Sequence, residues 1–385
     1  MPAQNYAARD YEGSAVARRQ NGVAFGDRAL PAEQRRGRGA VSNASSRFEP
    51  QRESFVDGWA EDELAPFKTE VFHEKARTII SRNESPDISF DRSINPYRGC
   101  EHGCVYCFAR PTHAYLGLSP GLDFETKLFV KDGAAAQLER ELAAPKYRPA
   151  TIALGANTDP YQPIERQYRV TRSILEVLAR RNHPVGIVTK SNLVLRDLDI
   201  LSAMAAKGLA KVYVSVTTLD RDLARKLEPR APTPGRRLEA IEKLAQAGVP
   251  VGVMAAPIIP AINDAEIEKI LSRAYAAGAR EAGYVLLRLP LELRDIFREW
   301  LAVNYPDRLA HAMSLVQSTR GGKDYDSQWG KRMAGSGPYA WMIGRRFEIA
   351  ARRLGFNEQP FRLRSDLFAP PDPAPQERQQ LSLGF

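Results

Sequence analysis

Cysteine is scarce in this 385-residue chain: there are three, Cys100, Cys104 and Cys107, all on one short stretch. An odd, clustered set outside a secreted context excludes a disulfide framework. Long apolar runs are missing as well. No stretch approaches the roughly 20 apolar residues that cross a bilayer, and the opening MPAQNYAARDYEGSAVARRQ lacks the apolar core of a secretory signal. The expectation is a cytoplasmic protein with no membrane partner. There is no P-loop, G-x-G-x-x-G, H-E-x-x-H or nucleophile elbow, which removes the commoner enzyme classes.

What is present is ordinary for a globular protein, 43% apolar and 26% charged. Lys and Arg number 55 against 46 Asp and Glu, a formal charge of +9 that admits an anionic partner such as nucleic acid. Much of the arginine lies near the N-terminus and on helix-like surfaces such as Ala179-Arg180-Arg181 and Gly344-Arg345-Arg346. The charge therefore reads as a solvated surface and selects no substrate.

Residues 1–65, with Arg35, Arg36 and Arg38, show no sustained apolar period and predict a disordered basic tail. Residues 366–385, with Ala369-Pro370-Pro371-Asp372-Pro373, predict a Pro-rich polar tail. Neither is expected to carry chemistry. Between them, residues 80–300 alternate β-rich and helical patterns, and residues 301–365 read as a helical and loop extension. Apolar β-rich runs begin near Thr151, Val185, Val212, Val249 and Tyr284, a spacing of roughly 27–37 residues that suits βα units with parallel strands. Helical periods follow over 170–181, 195–207, 236–247 and 264–277, the last with Asn263-Asp264 as its N-cap. A sixth run over 87–91, just before the cysteines, predicts the first strand. An open doubly wound sheet and a partial barrel both satisfy this pattern, and in both function gathers at the C-terminal strand ends.

The cysteines are spaced C-x3-C-x2-C in Gly99-Cys100-Glu101-His102-Gly103-Cys104-Val105-Tyr106-Cys107. Three thiolates on one loop can each hold a separate iron of a cubane cluster, which usually takes four. With no fourth cysteine one iron stays open to chelate a ligand, as catalytic metals do. The rival is zinc, completed by His102 or His113. Structural zinc usually takes two separated ligand pairs, and the chain has no second pair.

The C-x3-C-x-aromatic-C pattern, with Tyr106 as the aromatic, resembles the signature of the radical S-adenosylmethionine (SAM) superfamily. The loop Gly155-Ala156-Asn157-Thr158-Asp159-Pro160-Tyr161-Gln162-Pro163 resembles that of spore photoproduct lyase and the related bacterial "DNA repair photolyase"-like group. The resemblance implies an α/β fold, a partial (β/α)6 TIM-type barrel of parallel strands. It implies a [4Fe-4S] cluster on Cys100, Cys104 and Cys107, whose open iron takes the amino and carboxylate groups of SAM. It also implies an external one-electron reductant of flavodoxin or ferredoxin type. Reductive cleavage then yields methionine and a 5′-deoxyadenosyl radical that abstracts hydrogen from the substrate.

By the same resemblance Tyr106, Asn157, Thr158 and Asp159 line the SAM pocket, the last three near the amino group. Lys190 and Arg230 serve the SAM carboxylate, Ser215 and Thr217 (with Thr218) the ribose, and the strand over 251–257 the adenine. The chain departs from photoproduct lyase in having no cysteine outside the cluster to return hydrogen. Either a tyrosine (Tyr97, Tyr115 or Tyr161) replaces it or the reaction differs, and the second is the expectation. No fully thiolate-ligated auxiliary cluster can form. Two segments, 321–330 and 335–341, mix glycine, aromatics and cations and suit a base-stacking groove, a lid or a packed loop. The alternatives to a SAM-cleaving enzyme of unknown substrate are a photoproduct-lyase-like DNA repair enzyme and a non-catalytic nucleic-acid-binding protein with a structural metal site.

Overall fold

The computed structural model describes residues 29–48 and 67–371. Strands β1 (Glu70–Lys75), β2 (Ile80–Arg82), β3 (Arg92–Ile94) and β4 (Tyr97–Arg98) come first, then β5 (Lys127–Asp132) and helix α1 (Ala134–Leu142). The chain then alternates: β6 (Ile152–Leu154), α2 (Val170–Arg180), β7 (Val185–Thr189), α3 (Leu198–Ala205) and β8 (Ala210–Ser215). Helices α4 (Arg221–Leu227) and α5 (Pro234–Gln246), strand β9 (Val251–Ile258), α6 (Ile267–Ala276) and β10 (Glu281–Leu286) continue the series. Three helices follow, α7 (Leu293–Asn304), α8 (Pro306–Ser318) and α9 (Gly337–Leu354).

Strands β3, β6, β7, β8, β9 and β10 pair in that order, every pair parallel, and β2 joins β3 antiparallel at the far edge. This is the partial (β/α)6 barrel. A smaller sheet, β1-β5-β4, joins the strand just ahead of the cysteines to β5. The β-branched runs explain the strands. Val185 and Ile187 in β7 and Val212 and Val214 in β8 alternate inward and are fully buried, each worth about 1.5–3 kcal/mol of transfer free energy. Ile174, Leu175, Val177 and Leu178 give α2 its buried face.

Three expectations need correction. The first barrel strand is Arg92–Ile94 and not 87–91. Over 83–87 side chains capture the backbone: Asn83 Oδ1 accepts from Ser85 N and Ser85 Oγ from Asp87 N, which makes turns instead of a ladder. Asn263 stands at the N-cap position of the short 3-10 turn Asp264–Glu266 that leads into α6, but its side chain does not cap it. Its Oδ1 accepts from Ile259 N at 2.6 Å and its amide donates to the carbonyls of Thr217 and Pro257, so it ties β9 to the end of β8. The disordered tail does not hold for residues 29–48, where Arg38, Ala40, Val41, Ser42 and Ser46 are buried. That segment is ordered by polar bonds and not by an apolar stripe, so no period announces it. Residues 1–28 and 49–65, and 372–385 of the Pro-rich tail, lie outside the described residues.

Residues 320–335 form a strap between the two edges of the barrel sheet. Leu286 N donates to Met333 O at 2.9 Å, and Arg320 donates to the carbonyls of Leu286, Leu287, Lys331 and Arg332. At the other edge Gly330 N donates to Asp87 Oδ1 at 2.6 Å, and Arg332 bonds Asp87 and Ser85 in the β2–β3 connection.

Candidate functional site

The cysteine loop leaves β4 and turns at Gly99 and Gly103, both at positive φ (72° and 65°). At Gly103 a Cβ would lie 2.7 Å from Glu125 Oε2, so glycine is needed for space as well as conformation. Cys100 and Cys104 are buried and Cys107 partly so. Burial pushes all three thiols up, that of Cys104 to about 12; neighbouring acidic groups add to the rise at Cys100 and Cys104, whereas Arg110 and Lys190 oppose it at Cys107. Such a site needs metal to hold its thiolates.

The loop is clamped from four sides. From within, Arg110 donates to Cys104 O at 2.9 Å and to Gly103 O, Pro120 O and Gly121 O, while pairing with Glu125 at 2.5 Å. Both side chains are completely buried. From the N-terminal segment, Gly39 N and Ala40 N donate to the two Glu125 oxygens at 2.9 and 2.8 Å. A Cβ on Gly39 would fall 1.8 Å from Gly103 O, so backbone lies against backbone there. From the β6 loop, Gln162 accepts from Glu101 N at 2.9 Å and donates to Gly99 O at 3.1 Å. From the end of α4, Val105 N donates to Leu227 O at 3.0 Å.

The fourth clamp continues into a buried polar network. The Tyr106 hydroxyl donates to Glu228 Oε1 and meets Thr217 Oγ1 at 3.1 Å. Thr217 also donates to Glu228, and Arg237 closes the set against Glu228 and Ser215 O. Burial works against the Glu228 charge, but Arg237 and Lys190 outweigh it and hold its carboxyl down at about 2.

The residues read from sequence fall into two groups. Tyr106, Thr158, Asp159, Thr217 and Arg230 are engaged within the chain. Thr158 donates to Tyr97 O; Asp159 accepts from Tyr161 N, Thr189 Oγ1 and Lys190 N; Arg230 pairs with Glu101 at 3.0 Å. Burial also opposes the Asp159 charge, yet His102 and these donors hold its carboxyl near 2. Asn157, Lys190 and Ser215 are different. Among the described residues their side chains have no hydrogen-bond or ion-pair partner, and the Lys190 ammonium lies 5.7 Å from the centre of the Tyr106 ring. Thr218 is turned away to Glu266.

The rival zinc site is not assembled. Among the described residues no three His, Cys, Asp or Glu side chains converge on the position of one ion. A cubane does not require that, because each thiolate holds a different iron. His113 Nε2 donates to Lys127 O at 2.9 Å, with its ring between Phe124 and Phe129. His102 is buried with its Nδ1 3.4 Å from Asp159 and neither nitrogen in a well-aligned hydrogen bond. Of the tyrosines named as hydrogen donors, Tyr97 and Tyr161 are buried against Glu165 and Asp197, and Tyr115 is 72% exposed beside Phe48. A cleft of about 500 Å³ between Tyr284, Gly335 and Trp341 is lined by none of the cysteine-loop or strand-end residues.

Arg110, Glu125, Gln162, Glu228, Arg237 and the stretch 38–40 were not singled out as functional from sequence. Only Glu228 and Gln162 sit in segments that the motifs draw attention to; a buried arginine in Phe108-Ala109-Arg110 has no local signal.

The radical SAM superfamily profile matches residues 94–274, from β3 through the cysteine loop into α6. An uncharacterised protein of Mycobacterium bovis is 40% identical over 232 residues, 60% of this chain and 68% of that protein. One of Methanocaldococcus jannaschii is 27% identical over 243 residues, 62% of this chain and 85% of its own. Among solved structures, a spore photoproduct lyase variant superposes with a TM-score of 0.50 at 19% identity, over 74% of this chain and 78% of that one. The same lyase complexed with a dinucleoside spore photoproduct gives 0.50 at 19%, over 78% and 84%. At that identity the likeness is one of fold. The chain belongs to the radical SAM superfamily and is a radical SAM enzyme, with the superfamily's [4Fe-4S] cluster and SAM as its cofactors. Among the described residues no helix is long and apolar enough to cross a membrane.

Proposed function

We propose that Cys100, Cys104 and Cys107 hold the cluster and that the chain uses it to cleave SAM reductively, turning the resulting radical on a substrate at the C-terminal mouth of the barrel. The observation that carries this reading is the cysteine loop itself. It supplies three thiols and no fourth, and its carbonyls and amides are pinned by Arg110, Gln162 and residues 39–40. A loop fixed this way holds its thiols in place before metal arrives. When bound, the cluster supplies one electron to the sulfonium of SAM, which releases methionine and a 5′-deoxyadenosyl radical.

The chain's own residues divide the remaining work. The Lys190 ammonium, without an ion-pair partner among the described residues, lies beside Tyr106 and takes the SAM carboxylate. Asn157 and Ser215 offer polar groups to the amine and the ribose. Tyr106, fixed by Glu228 and Thr217, holds its ring as a wall of the pocket. Thr158, Asp159, Thr217 and Arg230 act through the loop, since their polar atoms are already bonded within the chain. An external one-electron reductant is required.

A photoproduct-lyase reaction on DNA rests on fold likeness and the net positive charge, and the chain lacks a cysteine outside the cluster. The reaction is therefore read as a different one, on a substrate class taken up below. The test is anaerobic reconstitution with iron and sulfide, reduction, and measurement of 5′-deoxyadenosine from SAM. Wild type is expected to form it and Cys104→Ala to fall to background. A colourless protein that retains zinc and ignores SAM sinks the reading.

A further inference from the structure

Arg288 stands apart from the other arginines at the barrel mouth. It lies just past the end of β10, where a parallel barrel gathers its ligands. Its guanidinium carries five N–H donors, yet it has no carboxylate partner among the described residues. Nη1 reaches only the Met333 thioether at 3.4 Å and Nη2 the Tyr325 hydroxyl at 3.3 Å. Nε is buried with no hydrogen-bond partner among the described residues. Asp87, an acid close enough to feel the Arg288 charge, is already bonded to Gly330 N and Arg332. A second cation, Arg320, lies close enough for the two charges to oppose one another, and its donors go to four backbone carbonyls.

Position makes this lone cation informative. The guanidinium carbon sits 5.1 Å from the ring centre of Phe108, the residue after Cys107, and 6.0 Å from that of Tyr325 in the strap. Phe108 is 42% exposed, so its ring is open to a ligand lying beside the arginine. A charged donor left short of acceptors in a partly buried site is costly, and a bidentate oxyanion relieves that cost. The chain thus keeps an unneutralised guanidinium at the point where the cysteine loop, the last strand and the strap meet.

We infer that Arg288, flanked by Phe108 and Tyr325, is a substrate-binding residue that takes an oxyanion, a carboxylate or phosphate, and so anchors the substrate beside the cluster loop. The inference rests on the proposed function and deepens it by naming a chemical class of substrate. SAM carries a carboxylate of its own, but Lys190, without an ion-pair partner among the described residues, lies beside Tyr106 for that group.

The experiment is equilibrium titration of the full-length, anaerobically reconstituted protein with inorganic pyrophosphate, with succinate and, separately, with SAM. Wild type, Arg288→Met and Arg288→Lys are compared. One of the two anions is expected to bind wild type and to weaken about tenfold or more in Arg288→Met, the scale of one lost charge-assisted bidentate contact. Arg288→Lys falls between them, and SAM affinity stays within about twofold. Pyrophosphate as the responder identifies a phosphate, succinate a carboxylate. Equal anion binding in all three proteins, or none in wild type, overturns the inference. So does a matching loss of SAM affinity in Arg288→Met, which would give the residue to the cofactor. If Arg288→Met does not fold, Arg288→Lys against wild type decides by the same criteria. Failure of wild type to bind SAM defeats the proposed function instead, and the anion titration still reads Arg288.

Discussion

The cysteine loop and the strap over 320–335 are both irregular, glycine-bearing segments at the mouth of one barrel, and they are held in opposite ways. Around the loop almost every buried charge has its partner: Arg110 with Glu125, Arg237 with Glu228, and backbone N–H groups on the remaining oxygens. At the strap, Arg288 has no carboxylate partner among the described residues and Trp329 is 63% exposed. The difference separates two tasks. A cluster that stays in place is met by a fixed frame, whereas a ligand that comes and goes is met by groups whose partners are not supplied by the chain.

The contrast can be broken first at Arg110. Arg110→Met leaves Glu125 buried without its cation and is expected to cost about 3–5 kcal/mol, read as a lowered urea midpoint of the metal-free protein. A loss near zero would mean that the loop frame is not held by that pair. Next is pH. The Glu228 carboxyl is held near 2 against an ordinary 4.5, so its contribution is complete above about pH 4.5 and is lost as pH falls towards 2. Wild type should exceed Glu228→Gln by up to about 3 kcal/mol near neutrality, with the gap closing over that acid window in urea titrations. A gap independent of pH would remove the titration from the account.

Smaller effects sharpen the comparison. Gly39→Ala places a methyl against Gly103 O and should cost about 1–3 kcal/mol, with a changed electron paramagnetic resonance spectrum of the reduced cluster. An unchanged spectrum with lowered stability would limit the N-terminal segment to a structural role. Trp329→Ala is expected to shift the urea midpoint by less than about 0.5 kcal/mol. A large loss there would show the strap to be packed as firmly as the loop.

Much of the barrel could be read in advance because its strands are β-branched and its helices amphipathic. Val185–Thr189 and Ala210–Ser215 carry their burial in their composition. The alternation over 87–91 has the look of a strand, but the strand falls at Arg92–Ile94, because the side chains of Ser85 and Asp87 are committed to Arg332 and Gly330 far along the chain. The cysteines were legible as a ligand set since spacing on one loop is a local property. The frame around them was not. Arg110–Glu125 is a pairing of two charged residues with no local pattern to mark it as buried, and Arg38 looked like one more basic residue in a polar stretch. Lys190 and Arg230, grouped together from sequence, part company in the structure because Glu101 pairs directly with Arg230, whereas among the described residues no carboxylate forms a direct ion pair with Lys190.

The packing of residues 38–47 has a consequence in time. Ser42 bonds Glu299, 257 positions later, and Arg47 pairs with Glu292. On a ribosome adding about 5–20 residues per second, that early segment waits on the order of ten to fifty seconds for its partners to be synthesised. The cysteines emerge within that interval, so during synthesis the loop that will hold the cluster stands without its outer wall.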